Sequence, residues 1–161
     1  MLERWRRQER AVAAEIRDRG FDSRLGAYVR RYGSGDLDAS LLLLSVVGFE
    51  SGAASRVKGT LSAIRRELGA GGPLVYRNVD RRGGPGGEGA FVACSFWLAQ
   101  ALVQAGERDE AGQVVEETWR LANDVGLFAE EIHPSSGEHR GNFPQGLSHA
   151  ALVKAALDVE S

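Results

Sequence analysis

Apolar residues recur along this chain every three to four positions, which is the period of helices that bury one face. Six helical segments follow from that pattern. The first runs from about Glu3 to Arg19 and stops at Gly20, a residue suited to a helix end. The second begins after Asp36, with Leu37, Leu41, Leu44 and Val47 on one face, and ends near Gly48. The third covers about Ser55 to Leu68 and meets a breaker at Gly69-Ala-Gly-Gly-Pro73. The fourth opens at Glu88 and runs to Ala105, where Gly106 ends it. The fifth spans Asp109 to Asp124, and the sixth starts near Ser148, which can cap it, and continues to the C-terminus. Almost no strand is expected, so the fold class is all-α.

The character of the helices alternates. Phe91, Val92, Phe96, Trp97, Leu98 and Leu102 make the fourth apolar nearly all round, as expected of an inner, buried helix. The fifth carries Glu110, Glu116, Glu117 and Arg120 on one side, as expected of an outer one. The short link Gly106-Glu-Arg-Asp109 joins them as an antiparallel hairpin. Three such inner/outer hairpins predict an α/α solenoid or toroid. No fixed-period self-similarity accompanies them, which disfavours a regular repeat protein.

Composition narrows the function classes. A chain of 161 residues predicts one domain. A net charge of -2 with interspersed signs argues against a nucleic-acid footprint. The arginines at positions 4, 6, 7, 10, 17 and 19 alternate with Glu3, Glu9, Glu15 and Asp18, which reads as a solvated helix face. The single cysteine, Cys94, excludes an internal disulfide and lies among Phe91, Val92, Phe96 and Trp97, so a buried, inert thiol is expected. The N-terminus carries no apolar signal segment, and the longest apolar run, Leu41 to Val47, is far too short to span a bilayer. A soluble, cytoplasmic protein without membrane or nucleic-acid partners is the expectation.

Two loops carry candidate chemistry. Gly83-Gly-Pro-Gly-Gly-Glu-Gly89 lacks the Lys-Ser/Thr of a phosphate loop and follows no clear strand. It reads as a connector, or as backbone passing close to a ligand with Glu88 directed into a site. The second is Gly126-Leu-Phe-Ala-Glu-Glu-Ile-His-Pro134, followed by Gly141-Asn-Phe-Pro-Gln-Gly-Leu-Ser-His149. Here Glu130 and Glu131 admit two readings, a solvated pair beyond a helix end or a general-base carboxylate working with a second carboxylic acid across a pocket. His133, Glu138 and His139 lie nearby, but no zinc-type spacing such as HExxH exists, and no metal or other cofactor is expected.

At these residues the sequence resembles the C-terminal part of the family-15 glycoside hydrolases, the bacterial glucoamylase and trehalase-like group. The blocks that carry the resemblance run in order through almost the whole chain. They are Ala27-Tyr-Val-Arg-Arg-Tyr-Gly33, Leu37-Asp-Ala-Ser-Leu-Leu42, Leu74-Val-Tyr-Arg77, Gly86-Gly-Glu-Gly-Ala-Phe91 and Cys94-Ser-Phe-Trp97. Asn123-Asp-Val-Gly-Leu127, Ala129-Glu-Glu-Ile132, Gly141-Asn-Phe-Pro-Gln145 and Ser148-His149 complete the set.

The resemblance implies an (α/α)6 toroid, of which residues 1–161 supply about half, and an inverting enzyme that uses two glutamates on α-linked glucosides. Glu130 falls on the base position. Arg77 and Glu88 fall in blocks bordering the sugar pocket and would bind sugar hydroxyls, and Glu131 is a neighbour suited to hydrogen bonding. Tyr32 and Trp97 offer ring faces, although Trp97 sits deep in the fourth helix and reads as core. The tryptophan-glutamate segment that carries the acid in such enzymes has no counterpart here, since Trp5 is followed by Arg6. The chain alone is therefore expected to be inactive, or dependent on a complementary N-terminal chain, and an open inner face favours self-association. The alternative is a non-catalytic helical scaffold or glycan-binding remnant of the same fold.

Overall fold

The computed structural model describes residues 1–78 and 89–161. Six α-helices dominate: α1 (Leu2–Arg19), α2 (Leu43–Val46), α3 (Ser55–Leu68), α4 (Val92–Ala105), α5 (Arg108–Trp119) and α6 (Gly146–Glu160). The core is organised on α4, which buries every residue except Val103 and Gln104. Helices α5 and α6 flank it on one side, and α2, α3 and a 3-10 turn at Ala39–Leu42 lie on the other. The inner/outer alternation expected from the sequence is present. Trp97 and Cys94 are both buried, and α5 packs only Ala111, Val114 and Thr118 fully inward.

Short strands close the loops at the helix ends, where almost none were expected. β1 (Phe21–Asp22) pairs antiparallel with β2 (Ala27–Tyr28), and β3 (Gly69–Gly71) with β4 (Leu74–Val75). A three-stranded sheet runs in the order β5 (Ala90–Phe91), β6 (Glu131–Ile132), β7 (His139–Arg140). Each is two or three residues long. A segment that short shows no period in sequence, and its pairing is decided by the helices that bring distant loops together.

Three helix starts differ from expectation for local reasons. The segment after Asp36 is not one helix. Asp38 is extended, bridges Asn78, and turns its Oδ1 back onto the Ser40 N–H at 2.8 Å, so helical geometry begins only at Ala39. Ser148 does not cap α6: the Gln145 side chain accepts from the Leu147 N–H, while the Ser148 hydroxyl is buried and donates to the Ala129 carbonyl at 3.0 Å. Helix α4 starts at Val92 because Ala90 and Phe91 are drawn into pairing with Ile132 and Glu131.

Helix α1 stands apart. It is strongly amphipathic, with Leu2, Trp5, Val12 and Ile16 in one stripe, yet none of its residues is buried. Trp5 is 68% exposed. The stripe lines an open groove with Val47, Gly48 and Phe49. Its contacts to the body include Arg17, which pairs with Glu50 at 3.3 Å and lies over the Phe49 ring. Among the described residues no helix is long and apolar enough to cross a membrane.

Candidate active site

The loop between α5 and β6 is built before it is chemically interesting. Asn123 folds its start: its Oδ1 accepts from the N–H groups of Leu127 (2.7 Å) and Val125 (3.2 Å), and its own N–H donates to the Leu127 carbonyl. Phe128 is then fully buried, edge-on to Phe96 and Trp119 and flanked by the rings of His139 and His149. This aromatic anchor fixes the chain two residues before Glu130.

Glu130 is held through both its backbone and its side chain. Its N–H donates to the Asn142 carbonyl at 2.9 Å, and its carbonyl accepts from Val92 N–H, the first residue of α4, at 3.0 Å. Its Oε2 accepts from Asn142 twice, from Nδ2 at 2.8 Å and from the backbone N–H at 3.2 Å. Among the described residues nothing hydrogen-bonds to Oε1. The side chain is only partly buried, with one carboxylate oxygen fixed by Asn142. That arrangement suits a proton acceptor: one oxygen orients the group and the other stays available.

Glu131 points the opposite way, as the period of two in an extended segment requires. It is 9% exposed, and its Oε2 accepts from the Gly89 N–H at 2.8 Å. The two glutamates adjacent in sequence thus occupy different environments, one at the surface and one tying β6 to the start of β5. A side chain at Gly89 would meet the Ile132 carbonyl at 2.8 Å, so this close approach needs glycine.

Arg77 follows β4, which lies against β5. Its Nε donates to Asp38 Oδ1 at 2.8 Å, and its guanidinium stands over the Trp97 ring at 5.7 Å from the centroid. Asp38 is nearly buried and has Arg30 Nε 3.9 Å from its other oxygen. Tyr32 is half exposed with the Arg19 guanidinium over its ring, so its described contacts are with the end of α1. Glu88 and the glycine-rich segment before it lie outside the described residues. Burial pushes the Cys94 thiol well above its ordinary range, in keeping with an inert side chain. Among the described residues no group of three His, Cys, Asp or Glu side chains is arranged to hold a metal ion.

Two participants escaped individual notice in the sequence. Asn142, which holds Glu130, sits in a block whose composition reads only as loop. Asp38, which holds Arg77, reads as the ordinary start of a helix. Neither has a local signal, because each finds its partner across the fold.

Helical hairpins around one buried inner helix, with a carboxylate carried on the loop at its N-terminal end, define a segment of an α/α toroid. The chain belongs to glycosyl hydrolase family 15, whose family model matches residues 2–118. It is 42% identical over 159 residues to a trehalase of Mycobacterium tuberculosis, covering 98% of this chain and 23% of that protein. To a trehalase of Thermoplasma volcanium it is 35% identical, covering 99% of this chain and 26% of that protein. The chain therefore spans about a quarter of the length of these curated relatives. Among solved structures it resembles a wild-type glycosidase with a TM-score of 0.78 at 21% identity, over 93% of this chain and 42% of that one. The same values hold for a substituted form of a glycosidase in complex with glucose. At that identity the likeness speaks to the fold.

Proposed function

We propose that this chain is the base-bearing, C-terminal catalytic segment of an inverting glycoside hydrolase that acts on α-linked glucosides, trehalose foremost. The observation that carries the reading is the carboxylate of Glu130, clamped through Oε2 by Asn142 and open at Oε1. In the reaction Oε1 takes a proton from a water attacking the anomeric carbon, while an acid across the pocket protonates the departing oxygen. Inversion needs room for that water, and the two carboxyl groups would stand roughly 6.5–9.5 Å apart. Trehalose is favoured over maltooligosaccharides because the relatives quoted above are named trehalases.

The acid is supplied by a complementary helical segment. Two apolar surfaces support that part of the reading. One is the α1 stripe with Val47 and Phe49, and the other is formed by Val115, Trp119, Leu152, Val153, Ala156 and Leu157 on α5 and α6. Both lie on helices whose apolar side chains Trp5, Val12, Trp119, Val153 and Leu157 stay exposed, as suits two edges of an unclosed ring. Without the acid the leaving group departs as an alkoxide, at a cost of roughly 10²–10⁴ in rate.

The test is co-expression with the preceding, acid-bearing segment of a trehalase relative. Assembly should appear as a single species in size-exclusion chromatography, with trehalose cleavage that releases one β-glucose per turnover. Glu130→Gln should abolish turnover and leave assembly intact. Equal turnover in both proteins would sink the base assignment, and α-glucose as the sole initial product would sink inversion.

A further inference from the structure

The two histidines that enclose Phe128 have opposite hydrogen-bonding roles, and the roles are dictated by backbone groups. The Leu121 carbonyl can only accept, so His139 Nε2, 2.8 Å away, must carry a hydrogen. The Phe128 N–H can only donate, so His149 Nε2, 3.2 Å away, must present its lone pair. His149 is therefore neutral in this arrangement, with its proton on Nδ1.

His149 belongs to a set of contacts through which the first turn of α6 grips the loop that carries Glu130. The Gln145 N–H donates to the Phe128 carbonyl at 2.9 Å, and Ser148 Oγ donates to the Ala129 carbonyl at 3.0 Å. With the His149 bond, three backbone groups of Phe128 and Ala129, the two residues ahead of Glu130, are held by one helix end. We infer that His149 is a positioning residue for Glu130: its neutral imidazole latches the base loop to α6, and uptake of a proton at Nε2 releases the latch.

The surroundings of His149 leave that role to it. His139 lies across the Phe128 ring with its Nε2 committed as a donor, and Glu130 and Glu131 follow on the loop. Phe96 from α4 and Trp119 from α5 are uncharged. The next charged residue along α6 is Lys154, which pairs with Asp158. Of the three bonds from α6, only the one accepted by His149 requires an unprotonated ring. Loss of protonated states therefore breaks nothing, whereas gain of a proton breaks one bond and turns an acceptor into a donor facing another donor.

This inference rests on Glu130 being the base for its catalytic meaning, but its test does not. Nitrogen-15 NMR on the full chain should show His149 with Nδ1 protonated and Nε2 bare at pH 8, and the Phe128 amide protected from exchange. When the pH is lowered from about 8 to about 5, Phe128 protection should fall about tenfold, the size of one lost hydrogen bond, as the His149 ring-nitrogen signals change to those of the protonated form. His149→Gln offers an amide oxygen in place of Nε2 and should keep Phe128 protected across that range. His149→Ala should lose the protection at all pH values while α4 amides stay protected. An Nε2-protonated tautomer at pH 8, or a His149→Gln protein that follows the wild-type pH dependence, would overturn the latch whether or not His149→Ala folds. In the assembled hydrolase the acid-side fall of kcat should flatten in His149→Gln. Normal NMR behaviour with no activity in any assembly would instead count against Glu130 as base.

Discussion

Asn142 holds Glu130 by three hydrogen bonds, two from its N–H groups to one carboxylate oxygen and one from the Glu130 amide back to its own carbonyl. A single loop residue thus sets both the backbone and the side chain of the proposed base. Asn142→Ala removes only the 2.8 Å contact, and Asn142→Asp replaces a donor with a second negative charge at that distance. In an assembled enzyme kcat should fall about tenfold for alanine and about a hundredfold for aspartate, since small misplacements of a catalytic group carry penalties of that order. Steady-state kinetics with KM little changed would bear this out. A rise in KM with kcat unchanged would show that Asn142 serves binding instead.

Gly141 makes that contact possible. Its φ of +74° lies in the left-handed region, and a Cβ there would stand 3.0 Å from both Cβ and Oε2 of Glu130. Gly141→Ala should therefore destabilise the chain by about 1–2 kcal/mol through backbone strain and crowd Glu130 out of place. Urea denaturation measures the first effect, and loss of the Asn142 side-chain amide shift in NMR reports the second. An unchanged midpoint would refute the strain argument.

Arg77 serves stability independently of any sugar. It is 35% exposed, while its partner Asp38 is nearly buried and also holds the Ser40 N–H. Arg77→Ala strands that carboxylate, with Arg30 at 3.9 Å as partial compensation. The loss should be about 2–3 kcal/mol, somewhat below that of breaking a fully buried pair. Arg77→Lys should recover part of it, because an ammonium restores charge but not the planar stack on Trp97. Chemical denaturation of the three proteins gives the order directly.

Cys94 should make the chain alkali-sensitive. Burial raises its folded-state value far above the ordinary 9.0, so the folded thiol keeps its proton while the unfolded one ionises. Above about pH 9 the unfolded state binds fewer protons, and stability falls as pH rises, by at most about 1.4 kcal/mol per unit. Below pH 9 the term is flat. Cys94→Ala should flatten the alkaline limb of a stability profile between pH 8 and 11. Parallel limbs in the two proteins would count against it.

The helices were legible in the sequence because each carries its own signal. The all-apolar run around Phe96 and Trp97 announced an inner helix, and the charges on the fifth announced its outer partner. Glu130 was legible as a candidate through its block, and the trehalase relatives cover the same span. The burial of Trp97 and Cys94 followed from their neighbours alone. These are short-range properties: periodicity, helix-ending glycines and apolar content act within a few residues of chain.

Tertiary structure decided everything that depends on a distant partner. It turned Ser148 from a helix cap into a buried donor to Ala129, and Asp38 from a helix start into the counter-ion of Arg77. It also separated Glu130 from Glu131, sending one to Asn142 and the other to the Gly89 amide. No window of sequence contains those pairs. Hydrogen bonds of this kind form only after burial of the apolar helix faces has brought the loops within about 3 Å of one another. The chain by itself thus determined which segments fold as helices, and packing determined what each polar side chain does.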